Sequence, residues 1–550
     1  MTSPTSADYI FHFGNNAPDQ QADPARMGIK GANLVTMAQI KLPVPPGFIV
    51  SVELGKIIAS GDEALAPDQR SAIRQAIVGI ENEMGRKFGG QDSPLLISVR
   101  SGASVSMPGM MDTVLNLGLN NETVEILARE TADERFAWDT YRRFIQSFAM
   151  VVLGLELDEF EEVLQEVRDH NNVNADADLS AEVLKQVTSV FLDIVEREIA
   201  SPFPQDAYEQ LDFALLAVFN SWNTKRAIRY RDMHSISHGG GTAAVIQTMV
   251  FGNRDGQSCT GVYFTRNPST GEKNPYGEYM LNAQGEDVVS GIRTPMELTE
   301  ADRARAMSEN PSMEKVLPDA FAKLLKAGDT LETHFSDMQE IEFTVESERL
   351  FLLQTRNGKR TPRASLRIAV EMAQQGKISK VEAIARCDMT SLKAMLVSKI
   401  AAKKDTVLFT KGLPASPGAA TGKIVFTSGE AVALSKMGQD CILVRPETDP
   451  KDVHGMDASA GILTTRGGMT SHAAVVARGM GKPCITAAMT LKIDLDSQTC
   501  SCAGKVLKAG DVISIDGGAG AAFIGEQPII IPAPDGELAV LLNWKEEHSN

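Results

Sequence analysis

The sequence predicts an α/β protein built from several domains. Its 550 residues are too many for a single hydrophobic core, and roughly three or four domains are expected for this length. Short apolar segments bounded by Gly-rich turns, which are typical of strands, recur at 205–300 and 406–535 beside helical segments. Two stretches, 121–200 and 357–405, carry helical patterns without a strand signal.

Composition excludes several classes of protein. The formal net charge is −17, which argues against nucleic acid or an anionic membrane as a general partner. The sequence has no segment apolar and long enough to span a bilayer, and its first residues are polar. The six cysteines form no CxxC pair, and Cys500 and Cys502 share one face of a predicted strand. Reduced thiols in a cytoplasmic protein are therefore expected.

Two basic residues near the N-terminus suit phosphate binding. Lys30 lies between glycines in a turn that enters a helix at 27–37, and Arg100 ends an apolar strand at 95–102. The polar loop 104–113 follows that strand. Arginine binds phosphate with two parallel N–H groups and lysine as a point charge. From the pattern alone, a surface lysine and a structural salt bridge explain the two residues equally well, and the turn is not a P-loop.

The region 121–200 is predicted to form a helical layer. Arg142 and Arg143 are expected on its polar side. The apolar residues recur at helical spacing and predict a buried stripe: Tyr141, Phe144, Ile145, Phe148, Val151, Val152 and Leu155.

Mixed structure is expected after this layer. A glycine-rich loop at 238–242 leads into a buried strand at 243–252, and 261–268 and 278–283 are predicted as further strands of the same sheet. Such a loop could cover a nucleotide, although a simple connection is the commoner explanation.

A hairpin carries the clearest candidate metal ligands. Glu340 and Glu342 alternate with apolar residues and therefore share one face of a strand. A three-residue turn at 347–349 would place Glu342 opposite Gln354 and Glu340 opposite Arg356. Carboxylate and amide oxygens suit Mg²⁺ and its phosphate partners. A solvated face with a surface ion pair is the alternative.

The strongest candidate for catalysis is His472. A buried strand at 461–463 passes through a Gly-Gly turn, and Thr470 and Ser471 are predicted N-cap residues of a short helix. The free N–H groups and positive dipole of a helix start favour phosphate, and an imidazole there could carry a phosphoryl group. A lone histidine at a helix start is more often a cap or core residue, but the turn, the two hydroxyls and Arg466 together favour catalysis.

This segment also resembles a known family. Residues 465–483 are similar to the phosphohistidine signature of the phosphoenolpyruvate-utilising enzymes, and the closest resemblance is to pyruvate phosphate dikinase. The resemblance extends over nearly the whole chain, through the segments 30–48, 98–119, 136–146, 247–284, 338–360 and 413–483.

The resemblance implies an α/β architecture with an ATP-grasp nucleotide-binding domain, a helical insert, a helical linker and a swivelling β/β/α phosphohistidine domain. The expected boundaries, in chain order, are 1–120 and 205–356 for the two ATP-grasp subdomains, 121–204 for the insert between them, 357–405 for the linker, 406–535 for the phosphohistidine domain and 536–550 for the start of a truncated linker.

The resemblance also assigns roles to residues. His472 would be the phosphoryl carrier, with Thr470 and Arg466 beside it in the catalytic loop, and a threonine at the position of Thr470 can be a regulatory phosphorylation site in the family. The implied ATP-binding residues are Lys30, Arg100, Glu340, Glu342, Gln354 and Arg356, of which Glu342 and Gln354 would hold Mg²⁺.

The sequence departs from the family at three points. Ile29 stands where a glycine is usual, which could make the first phosphate loop less permissive, and Glu340 stands where an aspartate is common. The family also continues into a barrel that binds pyruvate and phosphoenolpyruvate, whereas this sequence stops at Asn550 and contains no set of eight βα repeats.

The expected function is ATP- and phosphate-dependent phosphorylation of His472, the nucleotide half-reaction of a dikinase. The acceptor would lie on a separate protein or barrel domain, and a homodimer is compatible with the sequence. Two alternatives stay open: an ATP-binding regulatory protein that has lost turnover, and a phosphotransferase acting on an acceptor other than pyruvate.

Overall fold

The computed structural model describes residues 6–60, 65–105, 107, 109–173, 175–290, 294–388, 398–401, 406–530 and 536–548. Parts of the predicted loop 104–113 and of the predicted helical stretch 357–405 lie outside these residues. The chain divides into two compact units, one formed by 1–250 with 351–354 and the other by 251–350 with 355–550.

The first unit contains a five-stranded antiparallel sheet with the strand order β1-β2-β7-β5-β6. The strands of this unit are β1 (Ile10–Phe13), β2 (Gly47–Val50), β3 (Lys87–Phe88), β4 (Pro94–Leu95), β5 (Ile97–Ala103), β6 (Thr113–Leu117) and β7 (Thr242–Thr248). Its helices are α1 (Pro24–Gln39), α2 (Val52–Ala59), α3 (Pro67–Met84), α4 (Thr123–Thr131), α5 (Glu134–Val151), α6 (Asp158–Asn171), α7 (Ala181–Ile199), α8 (Ala207–Asn220) and α9 (Lys225–Met233).

The helical layer forms where the sequence predicts it. In α5 the stripe residues up to Phe148 are buried, while the three beyond it are partly exposed. The prediction for Arg142 is wrong, because its side chain is buried and donates to Asp139 Oδ1 at 2.5 Å. Burial alone would raise the pKa of Asp139, but the charges of Arg142 and Arg143 lower it to about 2. Ion pairing therefore allows an arginine on the buried side of this helix.

The second unit begins with another five-stranded sheet, with the order β10-β9-β8-β11-β12. The strands of this sheet are β8 (Cys259–Phe264), β9 (Tyr276–Leu281), β10 (Met296–Glu297), β11 (Gln339–Glu346) and β12 (Arg349–Asn357), of which residues 351–354 belong to the first unit. The helices are α10 (Gly285–Ser290), α11 (Glu300–Ala306), α12 (Met313–Val316) and α13 (Pro318–Phe335). The prediction that β8 and β9 share a sheet with β7 is wrong, because periodicity identifies a strand but not its partner.

The described part of the region predicted as a linker contains the helices α14 (Pro362–Gln374) and α15 (Lys380–Ala385). It also contains the short strand β13 (Lys399–Ile400), which pairs with β25 (Ile529–Ile530) and is too short to give a periodic signal. The last helix, α19 (Gly536–Glu547), buries Leu538, Leu541 and Trp544 in a hydrophobic cluster that includes residues of α14, α15, β8 and β9.

The last α/β layer contains an eight-stranded sheet with the order β14-β24-β23-β16-β17-β18-β19-β15, beside the three-stranded sheet β20-β21-β22. The strands are β14 (Leu408–Lys411), β15 (Leu413–Ser416), β16 (Ala419–Val425), β17 (Cys441–Arg445), β18 (Gly461–Thr464), β19 (Cys484–Thr486), β20 (Lys492–Asp494), β21 (Thr499–Cys502), β22 (Lys505–Lys508), β23 (Val512–Asp516) and β24 (Ala521–Ile524). The helices are α16 (Ser428–Lys436), α17 (Val453–Ala458) and α18 (His472–Met480).

Strand direction places the histidine in this layer. Strands β16 to β19 run parallel, and helices α16, α17 and α18 connect them in turn. The carboxyl ends of parallel strands meet at one edge, where ligands of α/β sheets commonly bind. The segments that follow β17 and β18 therefore come together at this edge.

Among the described residues, no helix combines the length and the apolar character that a membrane span requires.

Candidate functional site

Helix α18 begins at His472. Ser471 occupies the N-cap position with φ −60° and ψ 160°, but its side chain makes no capping hydrogen bond. Ser471 Oγ is buried and has no hydrogen-bond partner among the described residues. A helix start leaves its first N–H groups without intrahelical acceptors. This end of α18 thus offers N–H groups and an unpartnered hydroxyl to an anion.

Thr448 lies at one edge of the His472 ring. Its Oγ1 lies 3.1 Å from His472 Nδ1, and its side chain is buried. Thr448 follows β17 as His472 follows β18, so parallel pairing of these strands brings the two side chains together. The sequence analysis missed Thr448, although its place after a neighbouring strand was the available signal.

The environment of His472 favours the neutral imidazole. Burial lowers the pKa of His472 below its usual value of 6.5, and the nearby carboxylates of Asp449 and Asp452 oppose this shift. A neutral ring whose Nδ1 carries the proton and donates to Thr448 leaves the Nε2 lone pair free to attack phosphorus.

The loop before His472 is held by a carboxylate that the sequence analysis did not identify as a site residue. Glu278 of β9 accepts hydrogen bonds from the Met469 N–H at 2.6 Å and from Thr470 Oγ1 at 2.9 Å. The prediction that Thr470 caps the helix is therefore wrong, because its hydroxyl donates a hydrogen bond to Glu278 instead. A Cβ added to Gly468 would lie 2.4 Å from Glu278 Oε1, so the close approach of this carboxylate requires a glycine there.

Arg466 is positioned by its backbone. Its N–H donates to the carbonyl of Pro446 at 2.9 Å, and its carbonyl accepts a hydrogen bond from Thr464 Oγ1. The side chain is exposed, and within the described part of the chain it forms no hydrogen bond or ion pair. Its predicted place in the catalytic loop stays a prediction.

In the first unit, a kink in α1 brings Lys30 close to the end of β5. Gly28 interrupts the helix with φ 68° and ψ 161°, and a Cβ there would lie 2.0 Å from the Gly102 carbonyl oxygen. Ile29 does not share the unusual backbone. The departure from a Gly-Gly pair therefore leaves unchanged the position that requires glycine.

Arg100 is anchored on the same sheet. Its Nη2 donates to Gln247 Oε1 of β7 and, at 3.0 Å, to the Leu353 carbonyl. Gln247 is buried and donates in turn to the Pro45 carbonyl at 3.1 Å. These contacts fix the direction of the half-buried guanidinium.

The glycine-rich loop borders a cleft of about 240 Å³ whose lining includes Lys56, Trp222, His238 and Thr242. Lys56 Nζ donates to the Gly239 carbonyl at 2.7 Å. The loop is thus tied to α2 at one edge of the cleft.

In the second unit, Glu340 and Arg356 are neighbours as predicted, since Arg356 Nη2 donates to Glu340 Oε1. The predicted three-residue turn is wrong, because Ser347 and Glu348 form a two-residue turn with φ values of 47° and 66°. Between the turn and this pair, β12 contains one residue more than β11, and the extra residue makes up for the shorter turn. Burial along β12 changes phase between Leu352 and Thr355, as a β-bulge requires.

Charges in this hairpin are unevenly paired. Burial alone would lower the pKa of Arg356, but the carboxylate of Glu340 raises it. Burial and the charge of Arg356 lower the pKa of Lys359, and the charge of Glu340 opposes this shift. Among the described residues no carboxylate forms an ion pair with Lys359. This half-buried amine was missed in the sequence analysis.

The predicted metal ligands remain available for a cation. Glu342 and Gln354 are half-buried, and neither side chain has a hydrogen bond or ion pair within the described ranges. These ranges contain no group of three or more histidine, cysteine, aspartate or glutamate side chains arranged around a metal position. The carboxylate of Glu342 and the amide oxygen of Gln354 are each of a type that binds Mg²⁺ together with substrate phosphates, and their joint binding of one ion stays a prediction.

The chain is similar to known proteins over almost its full length. Residues 64–316 and 299–377 match the family described as "Pyruvate phosphate dikinase, AMP/ATP-binding domain", and residues 437–520 match "PEP-utilising enzyme, mobile domain". The predicted α/β fold with an ATP-grasp nucleotide-binding domain is thereby confirmed.

Individual relatives carry the same name. The chain is 50% identical over 542 residues to "Pyruvate, phosphate dikinase" of Rhizobium meliloti (strain 1021). The aligned region covers 98% of this chain and 60% of the relative. It is 44% identical over 542 residues to the Rickettsia felis protein of that name, covering 98% of this chain and 61% of the relative. "Pyruvate, phosphate dikinase 1, chloroplastic" of Oryza sativa subsp. japonica is 44% identical, covering 99% of this chain and 56% of the relative.

The chain thus spans about 60% of the length of the bacterial relatives. Because the nucleotide-binding family matches more than half of its residues, this chain belongs to the pyruvate phosphate dikinase family.

Proposed function

We propose that this chain phosphorylates its own His472 with ATP and inorganic phosphate, releasing AMP and pyrophosphate. The observation that carries the proposal is the ring of His472 at the start of α18, bound at Nδ1 by Thr448 and next to the unpartnered hydroxyl of Ser471. A histidine kept for packing would need neither a free Nε2 nor the unpaired hydroxyl beside it.

The reaction takes two displacements at phosphorus. His472 Nε2 attacks the β-phosphorus of ATP, the bond between the β-phosphorus and its bridging oxygen to the α-phosphate breaks, and AMP leaves. An oxygen of inorganic phosphate then attacks the γ-phosphorus. The bond between the γ-phosphorus and its bridging oxygen breaks, pyrophosphate leaves, and one phosphoryl group stays on Nε2.

The other predicted residues act on the charge of the phosphates. Lys30, Arg100 and Arg356 would neutralise phosphate oxygens, as positioning and charge neutralisation dominate catalysis of phosphoryl transfer. Glu342 and Gln354 would hold Mg²⁺, which when bound spreads the negative charge of the triphosphate.

The names of the relatives indicate pyruvate as the acceptor of the phosphoryl group. We propose that phospho-His472 transfers it to pyruvate bound by another domain or chain. The predicted boundaries of the subdomains, the insert and the linker stay predictions.

Labelling at one phosphate tests the half-reaction. The protein is incubated with ATP labelled at the β-phosphate, with Mg²⁺ and unlabelled phosphate, and the protein-bound label is measured together with AMP and pyrophosphate. Label that is acid-labile and base-stable is expected on the wild type and absent from His472→Asn. Equal label on His472→Asn, or none on a folded wild type that binds ATP, would contradict the proposal.

A further inference from the structure

Arg478 lies beneath the loop that leads to His472. It belongs to the second turn of α18, and 1% of its surface is exposed. Nη2 donates to the Met469 carbonyl at 2.6 Å, and Nη1 donates to the Ala415 carbonyl at 3.0 Å. One buried guanidinium therefore ties the loop before the helix to strand β15.

The same peptide segment is held from the opposite side. The Met469 N–H donates to Glu278 Oε1, while the Met469 carbonyl accepts from Arg478. Because both groups of Met469 are bound, the rotation of the two peptide planes around this residue is restricted. The Thr470 hydroxyl adds a further contact to Glu278.

The two charged groups complement each other through the loop. Burial raises the pKa of Glu278, and the donors of Met469 and Thr470 and the charge of Arg478 oppose this shift. The two side chains do not form a direct ion pair among the described contacts. Arg478 Nε is buried without a hydrogen-bond partner, which is costly unless the positive charge serves another purpose.

We propose that Arg478 is a positioning residue for the phosphorylation of His472. By holding the Met469 carbonyl, it fixes the peptide plane that Met469 shares with Thr470, whose N–H and hydroxyl both donate to Glu278. The loop between Gly468 and His472 is thereby fixed, and the imidazole at its end keeps one direction of approach to phosphorus. This inference rests on the proposed function.

The main test compares Arg478→Lys with the wild type. Lysine keeps the charge but cannot bridge two carbonyl groups with a planar fork. Loss of one charged hydrogen bond predicts phosphorylation of His472 about tenfold to a hundredfold slower at saturating ATP. The ATP concentration at half-maximal rate should be unchanged, because Arg478 is not a predicted nucleotide residue and lysine keeps the positive charge that interacts with Glu340. A change in that concentration with an unchanged maximal rate would overturn the inference.

A double-mutant cycle separates positioning from general stability. Glu278→Gln alone should also slow the reaction, and Glu278→Gln combined with Arg478→Lys should be no slower than the slower single variant, because both act on the same peptide. Rate losses that multiply would show independent structural effects and would contradict the inference.

Lys482→Met is the matched control. Lys482 follows α18 and donates to the carbonyls of Asp457 and, at 2.6 Å, Ser459, so its loss removes a cation bound to two backbone carbonyls without touching the loop before His472. Its labelling rate should equal that of the wild type.

Folding of the variants decides the remaining outcomes. Arg478→Gln is measured beside Arg478→Lys, and the thermal midpoint of each is compared with that of Lys482→Met. If both substitutions at Arg478 prevent folding, Arg478 is a structural requirement and the inference is overturned. Normal labelling in every variant overturns the inference and leaves the proposed function intact, whereas an unlabelled wild type means that the proposed function has failed.

Discussion

Replacing Thr448 by valine tests how the His472 ring is oriented. Valine keeps the shape of threonine but removes the hydroxyl that lies 3.1 Å from His472 Nδ1. A net hydrogen bond contributes about 1 kcal/mol, and a buried donor left without an acceptor costs about 1–3 kcal/mol. Because the ring is half-buried, phosphorylation of His472 should be between about fivefold and a hundredfold slower at saturating ATP.

The assay is the initial rate of acid-labile label on the protein, supported by ¹⁵N spectra of the ring. Thr448→Ser is the matched control, since it retains the hydroxyl and should keep most of the rate. In Thr448→Val the spectra should show a smaller share of the tautomer protonated at Nδ1. If the valine variant labels as fast as the wild type, or the serine variant as slowly as the valine variant, Thr448 does not orient the nucleophile.

Four further outcomes are expected. The labelling rate should stay constant as the pH falls to about 6.5 and decline only below it, because burial lowers the pKa of His472 and protonation removes the nucleophile; a pH–rate profile checks this. Gly28→Ala should lower the free energy of unfolding by at least about 1–3 kcal/mol in denaturant titrations, since a Cβ there meets a carbonyl oxygen of β5 and the φ is positive. Glu342→Gln should raise the Mg²⁺ concentration for half-maximal labelling about tenfold, because one charged ligand is lost. Thr470→Asp should slow labelling more than tenfold, while Thr470→Ser should not, because a second carboxylate would face Glu278.

Local features of the site could be predicted from the sequence. The Gly-Gly turn, the hydroxyl residue at the N-cap and the small residues after His472 are neighbours in the chain, and together they predict where α18 begins. The partners of His472 and Thr470 could not be predicted in the same way. Thr448 is 24 residues from His472, and Glu278 is 192 residues from Thr470. Such contacts depend on strand order, which periodicity does not determine.

In the hairpin the predicted turn length is wrong, but the predicted pairing of Glu340 with Arg356 is right. The turn is one residue shorter than predicted, which alone would move Arg356 away from Glu340. The extra residue in β12 restores the pairing. Turn length is set by residues that adopt positive φ, whereas a β-bulge has no equally clear sequence signal. The side-chain pair was therefore predictable from charge complementarity, and the backbone path between the two residues was not.

Glu278 changes how the segment before His472 is interpreted. Gly468 has no side chain that would meet the carboxylate, Met469 donates its N–H to it, and Thr470 donates its hydroxyl. Three consecutive residues that resemble a catalytic signature thus also satisfy one buried charge on a distant strand. A phosphoryl group on Thr470, which the family resemblance implies as a regulatory modification, would add negative charge beside that carboxylate and remove its hydroxyl donor. The phosphoryl group and Glu278 would then repel each other where the hydroxyl now binds. Modification of Thr470 would therefore change the position of His472 without touching its ring.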